Sequence, residues 1–146
     1  MFTKTITYID FNGVKRTEDY LFHISKAEAI ELEMSEEGGL TAAINKIITA
    51  QSEPKIFALF KKFVLTAYGE KSSDGRRFIK VDANGHKLAD DFVQSEAYNV
   101  LMTELTSNAK NAADFFNSLV ATTENKEVTA VAGNAAPVQA FNPATN

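Results

Sequence analysis

Residues 68–80 read Tyr-Gly-Glu-Lys-Ser-Ser-Asp-Gly-Arg-Arg-Phe-Ile-Lys, and this segment joins the two halves of the chain. Gly69 stands where a glycine commonly ends a helix, which predicts that the preceding helix closes at Tyr68. Asp74-Gly75 predicts a tight turn, because both residue types tolerate turn conformations. Phe78-Ile79 is then expected to anchor the returning chain on the core.

The same segment is locally basic. Lys71, Arg76, Arg77 and Lys80 lie close together in sequence. One interpretation is a solvated loop whose arginines pair with acidic neighbours. The other is an anchor for an acidic partner, because the planar guanidinium group suits carboxylate recognition in partly dried interfaces. On the second interpretation, Arg76, Arg77 and Lys80 are the predicted partner-binding residues.

Helical patterns flank this segment. Ser52-Glu53-Pro54 predicts a helix start, since serine caps a helix and proline suits its first turn. A wide apolar stripe then runs to Ala67, and a short helical piece is predicted at 88–92. Two later helices, separated by Ser107-Asn108, are predicted from i, i+3, i+4, i+7 spacing. Their apolar positions are Tyr98, Leu101, Met102 and Leu105 in the first and Ala112, Phe115, Phe116 and Leu119 in the second.

The N-terminal region predicts a β-hairpin. Asn12-Gly13 suits a two-residue turn, and the residues on both sides of it are rich in β-branched and aromatic types. Such a turn sets Asp10 opposite Lys15 as a favourable cross-strand pair.

A helix is predicted to follow the hairpin. Ser25 and Glu28 have the spacing of a capping box, and Gly38-Gly39 is expected to end the helix that they begin. A second helix is predicted from the stripe Leu40, Ala43, Ile44, Ile47 and Ile48.

These elements predict an α+β fold that is mainly α, with the N-terminal β-hairpin followed by a compact bundle of about five helices. The bundle and hairpin occupy 1–120. The last 26 residues contain seven alanines and one aromatic residue. This segment can bury too little apolar surface to offset the entropy lost when a chain becomes ordered. Residues 121–146 are therefore predicted to be a flexible low-complexity tail.

Composition limits the function. The net charge of −4 argues against nucleic-acid binding, and no apolar run approaches the roughly 18 residues of a membrane span. There is no cysteine, and the two histidines, His23 and His86, are far apart in sequence. Asp82-Ala83-Asn84-Gly85 lacks the spacing of a calcium loop and predicts a polar turn. We therefore predict a cytosolic protein that is not an enzyme and uses no metal or cofactor.

Three stretches resemble the tail assembly chaperone family of long-tailed, siphovirus-type bacteriophages. The first and most specific is 68–80. The second is Phe92 through Leu105, including Ser95-Glu96-Ala97-Tyr98, and the third is Ala113-x-Phe115-x-Asn117. At the level of organisation, the resemblance extends from about Thr3 to Val120.

The resemblance implies specific partners. Chaperones of this family coat the long helical tape measure protein until the major tail protein displaces them. This implies action in the host cytoplasm, no cofactor and absence from the mature virion. Many members also have a longer form made by ribosomal frameshifting. A chaperone with exposed apolar patches is further expected to form homo-oligomers.

Two other functions fit the same composition. A minor structural protein of the phage tail or head–tail connector has the same small acidic body. A small enzyme or regulatory binder is the third hypothesis, although no catalytic motif supports it.

Overall fold

The computed structural model describes residues 1–35, 38, 39, 42, 45 and 54–122. The strands in this part of the chain are β1 (Phe2–Ile9), β2 (Lys15–Phe22), β3 (Tyr68–Lys71) and β4 (Phe78–Ile79). The helices are α1 (Lys26–Ser35), α2 (Pro54–Ala67), α3 (Leu88–Phe92), α4 (Glu96–Ser107) and α5 (Ala109–Thr122).

The four strands form one antiparallel sheet in the order β1-β2-β3-β4. β1 and β2 pair along their whole length, from Phe2↔Phe22 to Ile9↔Lys15. β3 joins β2 only at the end away from the hairpin turn, at Leu21↔Gly69 and Phe22↔Tyr68. Most of the N-terminal hairpin therefore extends past the point where β3 is attached.

The core lies between this sheet and the helices. Phe22 is fully buried and makes aromatic contacts with rings from β1, β3, α3 and α5. These rings are Phe2, Tyr68, Phe92 and Phe115. Since aromatic side chains carry the largest buried areas, β2 is as central to the core as any helix.

The predicted mainly helical bundle is wrong, although the N-terminal hairpin is present. A four-stranded sheet supplies one layer of the core, and β3 and β4 were missing from the prediction. The reason is physical. β3 and β4 have only four and two residues, and β3 contains a glycine and two charged residues. β3 owes its extended conformation to pairing with β2, and β4 owes its own to pairing with β3. Local sequence does not contain these long-range pairings.

The hairpin turn also differs from the prediction. Ile9, rather than Asp10, lies opposite Lys15. The Asp10 N–H donates to the Val14 carbonyl at 2.9 Å, and Gly13 adopts a φ of 80°. The Asp10 carboxylate accepts from the backbone N–H groups of Asn12 and Val14 and from Arg16 Nε at 2.6 Å. The aspartate therefore stabilises a three-residue loop, and Arg16 takes the role predicted for Lys15.

The same turn occurs a second time, at 82–86. Asp82 Oδ1 accepts from the N–H groups of Asn84 and His86, and the Asp82 N–H donates to the His86 carbonyl at 2.8 Å. Gly85 has a φ of 82°. The polar turn predicted here is confirmed. The shared pattern Asp-x-Asn-Gly in both loops is the sequence signal for this geometry, and the prediction did not use it.

The helix predictions are largely confirmed. Ser25 and Glu28 form the reciprocal capping box, with bonds of 2.9 and 3.1 Å. α2 begins at Pro54, and Asn108 caps α5. The eight apolar positions predicted for the last two helices are all buried. The helix predicted from Leu40 to Ile48 lies largely outside the described residues.

The end of α5 returns to the start of the fold. Thr122 is buried, and its hydroxyl accepts from the Ile24 N–H at 3.0 Å. The body–tail division at residue 120 falls inside α5, and 123–146 lie outside the described residues. That division stays a prediction.

Candidate partner-binding surface

The 68–80 segment forms a β-hairpin. α2 ends at Ala67, and Tyr68 already belongs to β3, where its ring stacks on Phe92 with centroids 4.3 Å apart. Gly69 lies in the same strand without a positive φ. A Cβ atom at Gly69 would lie 2.5 Å from the Phe78 ring and 2.6 Å from the Ile79 carbonyl oxygen. The glycine therefore permits close approach of β3 and β4 and does not cap a helix.

The turn of this hairpin presents the two arginines. The Ser72 hydroxyl donates to Asp74 at 2.7 Å and accepts from the Arg77 N–H, and Asp74 also accepts from the Arg76 N–H. Gly75 has a φ of 73°, as the predicted Asp74-Gly75 turn requires. Both arginines are exposed, and neither makes an ion pair with any residue that the structure describes. The turn thus presents at its tip two cations that pair with no acidic residue in the described ranges.

Lys80 is placed differently from the arginines. Its side chain is 21% exposed and its ammonium donates to both Glu28 oxygens, at 2.7 and 2.8 Å. It also donates to the carbonyl oxygens of His23 and Thr66, each at 2.7 Å. One ammonium group therefore holds together the end of β2, the start of α1 and the end of α2. The contacts of Lys80 are internal to the domain.

Burial and charge act in opposite directions on this pair. Burial lowers the pKa of Lys80, while the carboxylate of Glu28 opposes that shift. Burial alone would raise the pKa of Glu28, but Lys80 and the Ser25 N–H hold it below its usual range. Because the two groups are in direct contact, the pair is ionised at neutral pH.

His23 lies beside the pair. Burial lowers the pKa of its imidazole, assisted by the positive charge of the N-terminus and of Lys80. Its Nδ1 atom is buried and has no hydrogen-bond partner among the described residues. A neutral imidazole therefore packs against Phe78, with ring centroids 5.5 Å apart.

An open cleft of about 470 Å³ lies next to Lys80. Its lining combines apolar side chains with charged ones from α1, α2, α3 and the segment after β4. The residues are Glu28, Lys62, Leu65, Thr66, Tyr68, Lys80, Val81, Lys87, Ala89 and Asp90. Val81 is 50% exposed at its edge. Lys80 and Glu28 neutralise each other, and the lining also carries the charged side chains of Lys62, Lys87 and Asp90.

Among the exposed large apolar side chains, two groups lie close together in sequence. Ile30 and Met34 lie one turn apart on α1, where Met34 is 80% exposed. Ile9, Phe11 and Val14 lie at the tip of the N-terminal hairpin. Clustered exposed apolar residues are typical of protein-binding surfaces.

The structure thus brings Lys80 into the cleft and leaves Arg76 and Arg77 outside its lining. The cleft escaped prediction because its walls come from segments far apart in sequence. No described helix is both long enough and apolar enough to cross a membrane. Within the described ranges, no three acidic or histidine side chains are arranged to hold a metal ion.

A cleft lined by apolar and charged side chains, on a domain that also exposes large apolar side chains, is a feature typical of protein-binding surfaces. The model of the phage tail assembly chaperone family matches residues 1–141, so the chain belongs to that family. The family description names an assembly chaperone rather than an enzyme. No curated protein and no solved structure matches the chain.

Proposed function

We propose that this tail assembly chaperone binds the tape measure protein, keeps it soluble and helps to recruit the major tail protein. The match of the family model over residues 1–141 carries the proposal. Such binding takes place in the host cytoplasm, and the protein leaves before the virion is complete. Self-association is expected as well, because large apolar side chains are exposed.

The cleft is the proposed binding site for a segment of the tape measure protein. An amphipathic helix binds by placing its apolar face in a groove. Leu65 and Val81 offer apolar contacts, and the exposed Lys87 lies at the rim for an acidic side chain of the bound helix. The exposed Ile30 and Met34 on α1 offer further apolar area.

Co-expression tests the function. The tape measure protein of the same phage, expressed with the full chain, is expected to appear in the soluble fraction and to co-purify with it. A tape measure protein that is equally insoluble with and without the chain contradicts the proposal. Stoichiometric amounts of the chain in purified virions, measured by mass spectrometry, would favour a structural tail or connector protein instead.

A substitution at Val81 tests whether the cleft binds the tape measure protein. Val81→Glu is expected to weaken tape measure binding at least about tenfold, because a carboxylate would be buried in an apolar contact. Val100→Glu is the matched control, since Val100 is 37% exposed on α4 and does not line the cleft. Binding is measured by titration with a soluble tape measure fragment. Equal effects of the two substitutions would remove the cleft from the interface.

The arginine pair at the hairpin tip is predicted to contact the same partner at its margin. Replacing both Arg76 and Arg77 with alanine is expected to weaken binding about tenfold at low salt and less at high salt. The control is Lys26→Ala combined with Lys110→Ala, which removes the same charge from other exposed positions. Unchanged binding in the arginine variant, with normal circular dichroism, would leave these residues without a binding role.

A further inference from the structure

Within the described part of the chain, the outer edge of β2 has a strand neighbour along only a small part of its length. β1 pairs with the whole of β2 on one side, whereas β3 pairs only with Leu21 and Phe22 on the other. Among the described residues, no strand lies alongside 15–20 on that second side. An open strand edge of this kind is a ready template for another strand.

The ladder fixes which peptide groups face this edge. In antiparallel strands, the backbone groups of successive residues point to opposite edges. The Val14 carbonyl accepts from the Asp10 N–H, on the edge of β2 that faces β1. The His23 N–H donates to the Ala67 carbonyl, on the opposite edge. Odd-numbered residues of β2 therefore face outward, so the peptide groups of Lys15, Thr17 and Asp19 point to the open edge.

The charges along this edge are self-complementary. Residues 15–19 read Lys-Arg-Thr-Glu-Asp, with two cations and two anions on either side of Thr17. If a second copy pairs antiparallel about a two-fold axis at Thr17, each Lys15 lies opposite Asp19 of the other copy. Each Arg16 likewise lies opposite Glu18. Opposite charges at directly opposed positions stabilise a strand pair, and a two-fold interface uses each pair twice.

Other pairings lack this match. A two-fold axis at Lys15 sets two lysines opposite each other, and an axis at Asp19 sets two aspartates opposite each other. The outer edge of β1 has one charged residue, Lys4, and no such pattern. Only the register centred on Thr17 joins opposite charges throughout 15–19.

There is also space for the second strand. β2 and β3 separate beyond Gly69 around an opening of about 420 Å³. Its lining residues are Glu18, Asp19, Tyr20, Leu21, Tyr68, Gly69 and Glu70. In the Thr17-centred register, Val14 of the second copy lies opposite Tyr20 at this opening. The exposed apolar tip of one hairpin thereby gains contacts on the other copy.

We infer that the chain forms a homodimer through antiparallel pairing of the two β2 edges, centred on Thr17. The inference gives the expected self-association a specific interface, and it does not depend on binding of the tape measure protein. Lys15 and Asp19 are the informative pair, because Lys15 makes no ion pair with the described residues, while Arg16 already contacts Asp10 and Glu18.

A charge swap tests the register with the full-length chain. Lys15→Asp and Asp19→Lys are each expected to raise the dimer dissociation constant at least about tenfold, because like charges then face each other twice. The double variant, Lys15→Asp with Asp19→Lys, restores opposite charges and is expected to dimerise like the unmodified chain. Light scattering over a concentration series measures each constant, and Lys26→Asp serves as the control for a charge change elsewhere.

A backbone test complements the charge swap. Thr17→Pro removes the outward N–H without removing a donor from the β1 ladder, and is expected to abolish the dimer. Thr17→Val loses the same hydroxyl but retains the N–H, so its dimer is expected to persist. Circular dichroism confirms that each variant is folded. A monomeric unmodified chain, a dimer insensitive to these substitutions, or a charge-swapped chain that stays monomeric would each overturn the inference.

Discussion

Replacing Lys80 with methionine is expected to lower the free energy of unfolding by about 3 kcal/mol. The substitution keeps the length of the side chain but removes the donor that satisfies the Glu28 carboxylate and the carbonyl oxygens of His23 and Thr66. A partly buried carboxylate without its partner is costly, so the loss exceeds that of a surface ion pair. Urea unfolding at neutral pH, followed by circular dichroism, measures the change.

Lys87→Met is the matched control. Lys87 lines the same cleft but is exposed, and its replacement is expected to change stability by less than about 0.5 kcal/mol. Adding Glu28→Gln to Lys80→Met is expected to recover about 1 kcal/mol, because the unpaired charge is then removed. If Lys80→Met were as stable as Lys87→Met, the internal role assigned to Lys80 would be wrong.

Gly69→Ala is expected to cost about 3 kcal/mol. The new methyl group would lie 2.5 Å from a ring carbon of Phe78, which can move, and 2.6 Å from the Ile79 carbonyl oxygen, which belongs to the paired strand. Relief therefore requires β3 and β4 to separate. Thermal and urea unfolding measure the loss.

Gly75→Ala separates this steric effect from simple loss of a glycine. A Cβ atom at Gly75 meets nothing within 4 Å, but the φ of 73° strains any other residue. We expect a loss of about 1 kcal/mol there. A larger loss for Gly75→Ala than for Gly69→Ala would show that close strand approach is not what the 68–80 segment requires.

Some elements of the fold could be predicted from the sequence, whereas the role of Gly69 could not. The capping box at Ser25 and the helical stripes of α4 and α5 depend on neighbours within one or two turns, so they were predictable. Gly69 also reads as a helix end, because its real constraint comes from Phe78 and Ile79 folding back upon it. Local patterns do not contain that contact, and β3 and β4 were missed for the same reason.

The candidate partner-binding surface was likewise predictable only where it depends on residues close together in sequence. The exposed tip at Arg76 and Arg77 was predictable, since Asp74-Gly75 defines the turn and charged residues at a turn remain in solvent. The inward direction of Lys80 was not, because its acceptors come from β2, α1 and α2. The cleft depends on those same long-range contacts. The sequence therefore predicted the exposure of Arg76 and Arg77 but not the internal contacts of Lys80.

The hydrogen bond between Thr122 and Ile24 can form only after α5 has been synthesised. The two residues are 98 positions apart, so the ribosome makes the Ile24 N–H long before the hydroxyl that satisfies it. Closing such distant pairs is slow compared with forming local helices. During synthesis, the Ile24 N–H therefore lacks its Thr122 partner until the last turn of α5 has emerged. The N-terminal hairpin is made first, and its surroundings are completed last.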